Sequence, residues 1–146
     1  MSMSNASETA LLNLLFNNTD WANVGDAAGL QNSAAAGSFY VALHTADPTD
    51  AGNQTTSEAS YTGYARVAVA RTGGGWTVSG NQVSNTATVQ FGECTAGSAT
   101  VTHFSVGLLA SGAGDILYSG ALSASRAVSA GITLLFNPAT LVGTVD

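Results

Sequence analysis

At Gly37 the hydrophobic pattern of the chain changes period, and that change bears most directly on what it can fold into. Before it, Leu11, Leu14 and Leu15, with Leu12 and Phe16 on an adjoining face, recur at helical spacing. Asn5-Ala-Ser-Glu8 precedes them as a cap with an acid three residues on, and Asn17-Asn-Thr-Asp20 ends the run. The spacing predicts one short amphipathic helix over about residues 6–16. After Gly37, β-branched and aromatic residues alternate between Gly, Ser and Asn punctuation, which is the two-residue period of strands. We read strands near 39–45, 63–71, 75–79, 82–91, 100–110, 115–122 and 126–136, with a short one near 140–145. Strands this short and closely spaced predict a mainly β chain, an antiparallel sandwich or jelly roll with one N-terminal helix, rather than a parallel α/β sheet. The division expected is 1–37, a helix and loop able to act as an arm, and 38–146, the β-sandwich domain. Segments 17–36 and 46–60 read as loops.

Charge narrows the function classes. Only 8% of the 146 residues are charged, there is no lysine, and Arg66, Arg71 and Arg126 face nine carboxylates for a net charge of −6. A phosphate backbone is bound by clustered cations whose counterions are released, so neither nucleic acid nor an anionic membrane is an expected partner. The first 65 residues carry no Lys or Arg, hence no positive segment of a secretory signal, and no apolar run reaches the roughly 18 residues of a membrane span. The chain is expected to be made in the cytoplasm. The single Cys94 has no partner within the chain for a disulfide. A surface of Ser, Thr, Asn and Gly repels copies of itself weakly and favours self-association.

The stretch Gly37-Ser-Phe-Tyr-Val-Ala-Leu-His-Thr-Ala-Asp-Pro48 is the most suggestive of chemistry. Phe39, Val41 and Leu43 fall on one face of a strand, Tyr40, Ala42 and His44 on the other. Pro48 lacks an N–H and bars helical geometry at Asp47, so Asp47-Pro48 ends the strand in a turn whose amides Asp47 can accept. A metal pair of His44 and Asp47 needs further ligands, and His103 and Cys94 show no supporting spacing. Asp47, Asp50 and Asn53 lack the alternation and bidentate Glu of a calcium loop. No Gly-x-Ser-x-Gly elbow accompanies the serines, and Gly73-Gly-Gly75 is not followed by Lys-Ser/Thr. No cofactor is expected. Tyr61, Tyr64, Trp76 and Trp21 are read as core or interface filler before a sugar-stacking platform. Arg66 and Arg71 are expected to have fixed partners, acids within the sheet or across a subunit boundary.

Five blocks in order, Leu43-His-Thr-Ala-Asp-Pro48, Tyr61-Thr-Gly-Tyr-Ala-Arg-Val67, Thr102-His-Phe-Ser-Val-Gly107, Ile116-Leu-Tyr-Ser-Gly-Ala-Leu122 and Gly131-Ile-Thr-Leu-Leu-Phe136, resemble a family of small tailed-bacteriophage structural proteins over about residues 38–142. Its members are often labelled tail fibre proteins, and the type is similar to capsid cement or decoration proteins with jelly-roll folds. The resemblance implies a virion protein and no catalytic residue. The expected role is a cement protein on the capsid surface, a homodimer or homotrimer bridging the major capsid protein lattice. The alternative is a tail fibre or tail-tip module that binds a host glycan or receptor. His44, Asp47, Tyr61, Tyr64, Arg66 and His103 are the candidate subunit-contact or structural residues, and Leu11, Leu14, Leu15 and Phe16 the candidate arm contacts.

Overall fold

Helix α1 runs from Asn5 to Phe16 in the computed structural model, which describes residues 2–145. Nine strands follow: β1 (Ser38–His44), β2 (Val67–Ala70), β3 (Trp76–Ser79), β4 (Gln82–Asn85), β5 (Val89–Gln90), β6 (Ser98–Gly107), β7 (Ile116–Ser129), β8 (Leu135–Phe136) and β9 (Val142–Thr144). Strands occupy 38% of the chain and the helix 8%, so the fold is mainly β with antiparallel sheets and one helix. They form a four-stranded sheet in the order β2-β1-β6-β7, a three-stranded sheet β3-β4-β9 and the pair β5-β8. Among the described residues no helix is long and apolar enough to cross a membrane.

The residues group into two compact units that interleave along the chain, a different partition from 1–37 and 38–146. The first comprises 1–38, 70–88 and 136–146. In it α1 is capped by Ser4, one residue before the Asn5 cap read from the sequence, because the Ser4 hydroxyl accepts the Ser7 N–H at 3.4 Å. The helix packs on β3 and β4. Its deepest apolar side chains are Leu12 and Phe16, 0% and 1% exposed, while Leu11, Leu14 and Leu15 are half-buried. Five apolar residues spread over this much circumference leave the buried line open; the Phe16 ring, edge-on to Trp76 at 5.0 Å, selects it. The C-terminal turn is closed by Arg71, which donates to the carbonyls of Leu14, Leu15 and Ala36 and so places a cation where the helix dipole is negative. Asn85, 1% exposed at the end of β4, ties down the segment 137–141. Its amide nitrogen donates to Ala87 and Asn137 carbonyls, and its oxygen accepts from the Thr140 and Leu141 amides, all within 3.1 Å.

The second unit comprises 39–69 and 89–135. Here β1 and β6 pair with Val41 opposite Val106 and His44 opposite His103, and β6 pairs onward with β7. The two strands read near 115–122 and 126–136 are largely one, β7. Ser123-Ala-Ser125, which looks like turn punctuation, lies within a register shift between Val101 opposite Arg126 and His103 opposite Ala121. Conversely the run 82–91 is two strands, because the buried Asn85 side chain ties the chain away from the ladder after β4. The strand read at 63–71 begins only at Val67, since Gly63 at φ +100° and the Tyr64 N–H on the Tyr61 carbonyl make a turn.

Asn85→Ala leaves two amides and two carbonyls without their partner in a buried place. It is expected to lower unfolding stability by about 2–4 kcal/mol, measured by urea denaturation.

Candidate functional site

β1 is buried on both faces rather than one. Phe39, Val41 and Leu43 are at most 5% exposed, as alternation requires, but Ala42 and His44 on the other face are also inaccessible. Segment 53–58, part of the stretch read as a loop, supplies the polar groups that meet that second face. His44 Nδ1 donates to the Thr56 carbonyl at 2.8 Å, which fixes the neutral tautomer and leaves Nε2 to accept from the Ser105 hydroxyl at 2.8 Å. The separation is that of a nucleophile and its base. Both side chains are fully buried, however, so the pair works as a core hydrogen bond with no path for a substrate. Burial holds the His44 imidazole below its ordinary pKa of 6.5, against the smaller opposing pull of the Thr56 carbonyl and Glu58.

Gln54 is the residue on which the neighbouring loop, 108–114, is built. It is 0% exposed, and a Cβ on Gly107 or Gly114 would collide with its side chain, so two glycines make its slot. Its Nε2 donates to the Tyr40 carbonyl at 3.1 Å, its Oε1 accepts the Leu109 N–H at 3.0 Å, and its own N–H donates to the Gly114 carbonyl. Arg66 completes the clamp. Its Nε and one Nη donate to the two Glu58 oxygens at 2.7 and 2.8 Å, and the guanidinium also donates to the Leu109 and Gly112 carbonyls. The Tyr64 hydroxyl donates to Glu58 at 2.9 Å while accepting the Leu43 N–H. The Arg66 and Glu58 side chains are 2% and 18% exposed. The Glu58 hydrogen bond raises the Arg66 pKa, and burial, reinforced by Glu58, pushes the Tyr64 phenol far up, so both stay protonated.

These groups floor an open groove of about 470 Å³ between Tyr61, Ala65 and the Ala110–Gly112 segment. The floor has few free donors or acceptors, since Glu58 already accepts three hydrogen bonds and Arg66 donates four. Chemically it holds a loop in place. Besides Ser111, that loop exposes two large apolar side chains: Leu108 and Leu109 stand 41% and 48% accessible.

The structure therefore brings His44, Tyr64 and Arg66 into one buried network, whose members Gln54, Glu58 and Ser105 carry no sequence motif. Tyr61 is 7% exposed, its hydroxyl on the Gly92 carbonyl and its ring edge-on to Tyr64, which stacks on Phe91. Trp76 is 2% exposed, so Tyr61 and Trp76 present no platform for a sugar ring. Asp47 is exposed and accepts the Thr49 N–H within its turn. His103 is half-buried and bonds the Thr102 hydroxyl. Among the described residues no three His, Cys, Asp or Glu side chains converge as metal ligands. Leu11, Leu14, Leu15 and Phe16 lie on α1 in the first unit.

A model of the family described as Podophage GP4 fiber I protein gp80 matches residues 2–144. No curated protein matches the chain.

Two outcomes test this network. Because the folded state holds His44 neutral, the unfolded chain takes up a proton first as pH falls through 6.5, so stability should drop below that pH and level off only beneath the lowered folded value. His44→Gln should remove that part of the slope between pH 7.5 and 5 in urea titrations. Arg66→Lys keeps the charge but not the fork; a loss of ~1–3 kcal/mol and faster amide exchange at 109–112 are expected.

Proposed function

The chain belongs to the podophage GP4 fiber I protein family, and from that premise we propose that it is a fibre component of a tailed-phage virion that acts by binding a surface outside the particle, with no catalytic step. The observation that carries the reading is the family match over residues 2–144, nearly the whole chain. It supports a fibre more directly than the capsid cement role expected from the sequence, which rests on a likeness to decoration proteins alone. The geometry adds a candidate contact. Loop 108–114 is held at both ends by Gln54 and at its middle by Arg66, so little conformational entropy is lost when it is bound. Leu108 and Leu109 at its start fit an apolar protein receptor better than a glycan, which is gripped by aromatic faces that this loop lacks and by several hydrogen-bonding side chains where it offers only Ser111. Weak single contacts of this size become useful when several copies engage together.

Counting the chain against the major capsid protein in purified virions by quantitative mass spectrometry should give a small number of copies per particle. A ratio near one would return the protein to the capsid lattice. Adsorption supplies the second test: Leu108→Ser with Leu109→Ser should weaken binding of the purified protein to host cells by roughly tenfold or more without lowering its melting temperature, since both side chains are already exposed.

A further inference from the structure

We propose that the open edge of β7 pairs with β7 of a second copy of this chain, joining two four-stranded sheets into one of eight. The inference deepens the reading above but does not stand or fall with it, because a fibre and a cement protein can each be built on such a pair.

β7 is the outermost strand of the sheet β2-β1-β6-β7 and, with 14 residues, the longest in the chain. One side is bonded to β6. Along the other no strand lies among the described residues, so a row of backbone N–H and C=O groups spanning roughly 45 Å faces outward. Free edges of this kind template further pairing, and proteins that stay single blunt them with short strands, Lys, Pro or inward charges. The other edges of this chain obey that rule by length: β2 and β3 have four residues, β9 three, β5 and β8 two. β7 has neither Pro, Lys nor acid, and its single charge is Arg126. The register shift around 122–125 interrupts the ladder but leaves Ile116–Ala121, six uncharged residues, in continuous register but for one shift at its first residue.

Three observations point to a second copy as the occupant. Among the described residues no other strand offers a free edge long enough to match, whereas β7 matches itself, and antiparallel pairing about a two-fold axis gives every open donor on one copy an acceptor on the other. Ile116–Ala121 brings no charge to the contact, so two chains of net charge −6 meet along it without like charges at the seam. Ser119, Gly120 and Ala121 are short, so neighbouring strands approach without clash, and the Phe104 ring already lies over the Gly120 backbone on the β6 side. A foreign strand would need the same length and neutrality with nothing in this chain to select it.

The test uses the full chain in solution. Analytical ultracentrifugation at micromolar concentration should show a dimer or a multiple of it, and hydrogen exchange should show the outward-facing amides of Ile116–Ala121 as slow as those bonded to β6. Ser119→Lys with Ala121→Lys, both at exposed positions, should weaken the dimer at least ~tenfold and free those outward-facing amides while β6 stays protected. If the double variant does not fold, Ser119→Lys alone serves, with β6 protection as the check on folding. A monomeric wild-type chain, or an oligomer whose outward-facing 116–121 amides exchange freely or ignore the lysines, overturns the proposal. Neither result bears on copy number per virion or on adsorption through Leu108 and Leu109, which test the function separately.

Discussion

The Arg66–Glu58 pair is the contact around which the second unit is arranged. A buried ion pair adds little net stability, because two charges leave water to make it, but removing one partner strands the other at high cost. Its value lies in geometry. One carboxylate gathers Tyr64 and Arg66, Tyr64 takes the amide of Leu43 in β1, and the far side of the guanidinium takes the carbonyls of Leu109 and Gly112. A strand, a turn 21 residues after it and a loop more than 40 residues beyond the turn thus share one cluster. Alternative placements of the loop leave two guanidinium N–H donations without their carbonyl acceptors, so the cluster selects a single one.

The rest of the molecule handles polarity with amides and hydroxyls in place of charges. Gln54 and Asn85 each sit fully buried with backbone groups on both ends of the amide, and each joins segments far apart in sequence. Neutral amides suit this position: they satisfy a donor and an acceptor at once and cost less to desolvate than an ion. Arg71 is the charged counterpart in the first unit, where helix carbonyls rather than a carboxylate receive it. With so few cations, each of these two arginines is committed to several acceptors at once.

Much of the architecture was legible in the residues. The 3.6-residue pattern before Gly37 located α1, and alternating large hydrophobes located β1 and β6, although burial does not follow that alternation: β1 is inaccessible on both faces. The element boundaries that failed did so for tertiary reasons. Ser123-Ala-Ser125 has the composition of a turn and lies inside a strand, since backbone pairing with β6 resumes beyond it. Asn85 sits in an apolar alternation and ends it, since its side chain has partners 52 to 56 residues away. Gln54 is the clearest case. In a stretch of Thr, Ser and Asn it reads as solvent-facing, and the only trace of its burial is the pair Gly107 and Gly114, whose missing side chains mean something only once the strands are placed. His44 and Arg66 drew notice for their rarity, which says that a partner exists but not which one.

The way the arginines are used has a consequence for survival outside a cell. Proteases of the trypsin type cut after Lys or Arg in extended, accessible chain. This sequence offers three such bonds, and the folded protein withholds two of the side chains: Arg66 is sunk in its clamp and Arg71 is tied to the end of α1. Only Arg126 is exposed, and it lies within a strand opposite Val101, where the backbone must leave the sheet before an enzyme can seat it. For enzymes of that type the folded protein thereby keeps one guarded point of attack.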